Sequence, residues 1–147
     1  MNSFTKIKLE NDYQVFLNEL KETINQKYSA KHRYQQLIHD SNNHQTEVIA
    51  TIMEDENKHY EQLSDMYQHL TGRKPDPVIF NDWFKNSEED FSDLFKAEQK
   101  NVKLYLNLST KAPTPLFRRQ FERAAAEEQN HAVWFLYLLT EKNSKRT

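Results

Sequence analysis

The sequence predicts an all-α fold, one antiparallel bundle of four long helices, and three observations carry that expectation. Only one glycine and four prolines occur in 147 residues, too few turn residues for a many-stranded fold. Apolar residues recur at spacings of three and four in four separate segments, each the mark of a helix with one buried stripe. The prolines fall at 75, 77, 113 and 115, between those segments. The length suits one domain spanning 1–147, enough for a real core and short for two.

The first helix is expected over 11–39, its stripe running Phe16 or Leu17, Leu20, Ile24, Lys27, Tyr34 and Ile38. SNN at 41–43 interrupts it. The second, over 44–71, carries Ile49, Ile52, Glu56, His59, Leu63, Met66 or Tyr67, and Leu70. Gly72 and two prolines within TGRKPDPVIFNDWFKN, residues 71–86, end it and leave a connection long enough to cross along the bundle. Phe80, Trp83 and Phe84 in that crossover are expected to pack onto the bundle or to mark a homodimer interface. The third helix, over 88–110, opens with Ser87 and Asp90 spaced as a capping box and shows Phe91, Leu94, Glu98, Val102, Tyr105 and Leu108. Thr114 and Pro115 make an N-cap and first-turn pair for the fourth, over 115–142, with Phe117, Phe121, Ala124, Glu128, His131, Phe135 and Leu138. At ~1.5 Å per residue the four match in length, roughly 35–42 Å.

Polar groups sit midway along all four apolar stripes, and their order repeats. Lys27 and Tyr34 precede Glu98 and Tyr105 by 71 residues, and Glu56 and His59 precede Glu128 and His131 by 72. A duplicated helix pair accounts for this, and it marks Lys27 as the odd member. Each Glu-x-x-His spans one helical turn, so a carboxylate oxygen and an imidazole nitrogen can address one cation from the same face. Three buried carboxylates at one level repel one another unless something positive lies among them. Oxygen and imidazole donors without sulfur suit iron, with manganese or zinc as alternatives.

Composition removes other classes. Charged residues nearly cancel, to a net −2, so no overall field favours nucleic acid or an anionic membrane. The absence of cysteine excludes disulfides, thiolate catalysis, iron–sulfur clusters and Cys-ligated zinc. MNSFTKIKLE lacks the apolar core of a secretory signal, and the longest apolar run, AVWFLYLL at 132–139, is too short to span a bilayer, so a cytoplasmic protein is expected.

DENKHYEQL at 55–63, LTGRKP at 70–75, AEQKNVKLY at 97–105 and EEQNHAVWF at 127–135 together resemble the ferritin-like di-iron carboxylate proteins, nearest the rubrerythrin branch. The resemblance implies a ferritin-like bundle with its long crossover between helices two and three. It also implies Glu56, His59, Glu98, Glu128 and His131 as metal ligands, with Tyr34 and Tyr105 as donors that orient ligand carboxylates or as ordinary core tyrosines. Lys27 holds the place where that family has a first-helix glutamate. Rubrerythrins also carry a cysteine-ligated iron, which this chain cannot build, so a redox cycle would need an external electron donor. Asn101, one turn after Glu98, stands where peroxide-reducing members tend to offer a further carboxylate.

Glu22 lies about 140° around the helix from Lys27, and Glu19 two turns away, so neither replaces the missing carboxylate. Lys27 can snorkel to water or point inward. Inward, three carboxylates and one ammonium sum to −2, which a single divalent ion neutralises and a second would overshoot. Two protonated histidines reach the same sum with no metal. Two functions follow: a metal-binding protein with an altered site, oxidising Fe(II) with oxygen or peroxide if it is an enzyme, or a metal-free structural or interaction module. No residue is singled out as catalytic.

Overall fold

The computed structural model describes residues 2–39, 42–79 and 91–144. Four helices account for nearly all of them: α1 Ser3–His39, α2 Asn43–Thr71, α3 Phe91–Lys111 and α4 Pro115–Ser144. Ser87, Asp90, Phe80, Trp83 and Phe84 lie outside the described residues.

Local chemistry sets the ends. Asn2 and Asn42 place their side-chain oxygens on the amides of Thr5 and Gln45, at 2.8 and 2.9 Å, satisfying a first-turn N–H of α1 and of α2. Gly72 closes α2 in the left-handed conformation, φ 76°, and donates its amide to the Gln68 carbonyl at 2.8 Å. Thr114 accepts from the Phe117 amide at 3.2 Å, with Pro115 in the first turn of α4 where its missing N–H costs nothing.

The helices are not of matched length. Among the described residues α1 has 37, against 29 in α2 and 30 in α4. α1 starts eight residues before the position its apolar stripe predicts, and the added turns are exposed, Phe4 and Ile7 included. Periodicity reports burial, and a helix running past its neighbours has no face to bury there.

Two apolar clusters show how the chain runs. One joins Phe16, Leu20 and Ile24 of α1 with Leu63 and Met66 of α2, Tyr105 and Leu108 of α3, and Phe117 and Phe121 of α4. The other joins Ala30 and Tyr34 with Ile49 and Ile52, Phe91 and Leu94, and Phe135 and Leu138. The start of α1 thus meets the ends of α2 and α3, which makes it antiparallel to both, and α2 runs parallel to α3. The end of α2 and the start of α3 therefore lie at opposite ends of the bundle. Asn25, midway along α1, accepts the amide of Val78, in the connection between the two, at 3.0 Å. α1 packs along α2 and α3 along α4, and the two pairs meet through α1 with α3 and α2 with α4. This is the ferritin-like arrangement. Among the described residues no helix is long and apolar enough to cross a membrane.

Candidate metal centre

The apolar stripes of all four helices are interrupted at one height, between the two clusters. Lys27 falls between Ile24 and Ala30, Glu56 and His59 between Ile52 and Leu63, Glu98 between Leu94 and Tyr105, and Glu128 and His131 between Ala125 and Phe135. None of these six polar residues is more than 3% exposed, so water solvates none of them. Their charges must be balanced by one another or by an ion.

Lys27 points inward. Its Nζ lies 2.7 Å from Glu56 Oε2 and bonds Glu128 Oε1 still more closely. It also stands 5.2 Å from the centre of the Tyr105 ring. Burial alone would drive the ammonium toward neutrality, but the Glu128 and Glu56 carboxylates outweigh it and hold its pKa well above the ordinary lysine value. For Glu56 burial opposes ionisation, and Lys27 followed by the two histidines keeps the carboxyl well below the usual range. Glu22 is exposed, and Glu19 pairs with Lys111 at 2.7 Å at the bundle surface, so neither brings a carboxylate to the centre.

The other oxygens of those two glutamates face away from the lysine. Glu56 Oε1, Glu128 Oε2 and Glu98 Oε2 lie 3.4, 3.6 and 3.8 Å from His131 Nδ1. All four atoms are buried and none has a hydrogen-bond partner. Donor atoms of Glu56, Glu98, Glu128 and His131 fall within 4.8 Å of one another. Such a set fits a cation. Oxygen and nitrogen ligands about 2.0–2.2 Å from a shared ion lie roughly 3–4 Å apart, and the three carboxylate oxygens repel one another unless a positive charge stands among them, either an ion or the protonated ring of His131.

Each inner group has a partner holding it in place. Tyr34 donates its hydroxyl to Glu98 Oε1 at 2.6 Å, leaving Oε2 turned to His131. His131 Nε2 donates to Asp55 Oδ2 at 2.8 Å. His59 is held by Glu127, Nε2 to Oε2 at 2.6 Å, while its Nδ1 lies 3.1 Å from Glu128 Oε1. Burial pulls both histidines down, but the nearby carboxylates of Glu128 and Glu56 prevail and raise His59 to about 9 and His131 to about 10. In the absence of an ion, both are imidazolium at neutral pH.

The structure therefore gathers Glu56, Glu98, Glu128 and His131 into one set. His59 stands apart, on the lysine side, with both ring nitrogens facing carboxylates. Tyr34 bonds one of the four; Tyr105 does not, its hydroxyl buried without a hydrogen-bond partner and its ring edge-on to His59. Asp55 and Glu127 are additions that the apolar-stripe pattern misses, because each is about a third exposed, beside the stripe. The duplication could have revealed them: they too are 72 residues apart, and each immediately precedes the glutamate of its Glu-x-x-His. Each clasps the histidine of the other repeat.

The rubrerythrin family model matches residues 92–147, the part that carries Glu98, Tyr105, Glu128 and His131. Over 131 residues the chain is 34% identical to the uncharacterized protein YhjR of Bacillus subtilis (strain 168), covering 87% of this chain and 89% of that one. No solved structure matches significantly.

Proposed function

This chain belongs to the ferritin-like superfamily, in the same family as YhjR, and we propose that it holds a single divalent transition-metal ion, the Lys27 ammonium replacing the charge of a second. The ligands are Glu56, Glu98, Glu128 and His131. The observation that carries this reading is the way Glu56 and Glu128 divide their oxygens, one to Lys27 and one to the four-atom set. A cation held by the four-atom set would share both glutamates with the Lys27 ammonium.

Tyr105 supports the replacement. Tyr34 bonds the carboxylate of Glu98, and Tyr105 is its counterpart in the duplication, facing position 27. With lysine there the Tyr105 hydroxyl has no acceptor. A glutamate would provide one.

Iron is the proposed ion, with manganese or zinc also suited to the donor set. Bound iron would supply one-electron chemistry toward oxygen or peroxide. The protein's part is to keep water out with the two apolar clusters, orient Glu98 through Tyr34 and His131 through Asp55, and give up the proton of His131 Nδ1 as that atom becomes a ligand. One iron gives one electron, so a two-electron reduction needs an external donor.

Anaerobic titration of metal-depleted protein with Fe(II) or Co(II) tests this. One equivalent is expected, and Glu98→Gln or His131→Ala should abolish tight binding. A second reading rests on the ion pairs: with both histidines protonated, Lys27, His59 and His131 balance the three glutamates without metal. Titration showing no binding would establish that reading instead.

A further inference from the structure

The two ends of the duplicated site differ in the space beside them. Between α2 and α4, over the pair Asp55 and His131, lies a cavity of about 210 Å³. Its counterpart beside His59, between Gln62 and Phe121, leaves no room for a water molecule. The duplication makes these equivalent places, yet the open one is lined by His131 of the four-atom ligand set and the closed one by His59 and Tyr105.

The open cavity has the size and lining that a hydrated cation requires. Six waters at about 30 Å³ each occupy about 180 Å³, which fits within the space found. Glu47 and Asp55 bring carboxylates and Asn130 an amide oxygen, while Val48, Ile52 and Trp134 form apolar walls. Carboxylates framed by low-dielectric walls concentrate the field that draws a cation inward. At the floor, His131 is 1% exposed while Asp55 is 32% exposed, so Asp55 is the group that touches both the cavity and a ligand of the inner set.

We infer that the α2–α4 cavity is the port through which a hydrated divalent cation reaches the buried site, with Asp55 its last contact before the inner ligands. This rests on the single-ion reading above.

Stopped-flow mixing of metal-depleted protein with Co(II), followed by the absorption of the bound ion, tests the port separately from the site. Thr51 lines the cavity and is exposed, so Thr51→Trp fills it without disturbing the core. Association and dissociation should both slow by about tenfold, with Kd unchanged, as expected when a barrier rises by the same amount from either side. Gln62→Trp, on the same helix beside the closed cavity, should change neither rate. Glu47→Gln should slow association at low ionic strength and not at high. Unchanged rates in Thr51→Trp, a changed Kd at an unchanged association rate, or slowing in Gln62→Trp would overturn the port while leaving the metal site standing. If the wild-type protein takes up no Co(II), both fall.

Discussion

At the scale of single residues, the centre depends on what a buried ammonium does to the groups around it. Lys27 is 2% exposed and sits between two carboxylates that are 1% and 0% exposed. Removing it leaves Glu56 and Glu128 facing each other with only the two histidines to balance three buried glutamates. Breaking a buried pair in this way costs about 3–5 kcal/mol. Lys27→Met should therefore destabilise the metal-free protein by that order in urea unfolding, despite the similar length of the side chains; a change within experimental error would mean that the ammonium is not what balances the site. Lys27→Glu goes further, adding a fourth carboxylate and an acceptor for Tyr105. That variant should be less stable than wild type in chelator and should take up two equivalents of divalent metal, which titration checks directly. Tyr34→Phe frees Glu98 Oε1 and with it the orientation of Oε2, so Co(II) affinity should fall by about 10–100-fold.

At the scale of elements, the helices bring the groups together and the partners across the bundle hold them. α2 and α4 exchange acidic clasps: Asp55 holds His131, and Glu127 holds His59. Only the first histidine belongs to the four-atom set. Asp55→Asn should weaken metal binding by about 10–100-fold, whereas Glu127→Gln should leave it nearly unchanged, and equal losses in parallel titrations would refute the division. Gly72 illustrates a different kind of local requirement. A Cβ there meets nothing within 4 Å, so the cost of Gly72→Ala is purely that of the left-handed backbone, about 1 kcal/mol. The existence and order of the helices were legible in the sequence because burial imprints a 3.6-residue period. The first turns of α1 were not, since exposed turns carry no stripe. The connection's length permitted a crossover along the bundle, and the apolar clusters show that α2 and α3 run parallel.

Across the whole molecule, the charged layer is a slab of polarity between two apolar cores, and its protonation is tied to folding. His59 and His131 hold their protons to about 9 and about 10, against an ordinary value of 6.5. Raised values mean that the folded state binds these protons more tightly than the unfolded chain does. Their stabilisation is complete below about pH 6.5 and is lost as pH rises through about 9 to 10. Denaturation of metal-free protein in chelator should show stability declining across that window; a rise would contradict the assignment. Metal reverses the trend, because binding must displace the His131 proton and so tightens by up to about tenfold per pH unit below about pH 10. The sequence disclosed which residue types converge, through the duplication and the interrupted stripes. It could not disclose which histidine shares the cation set, since that depends on which oxygens the lysine occupies across 101 residues of separation. The port was equally hidden, being a space between helices rather than a pattern along one. The most direct test of the central claim is anomalous diffraction from crystals of the wild-type protein soaked in Mn(II) or Fe(II). A single peak among Glu56, Glu98, Glu128 and His131, with Lys27 Nζ on the far side of the two shared glutamates, is the predicted result. Two peaks, or one beside His59, would contradict it.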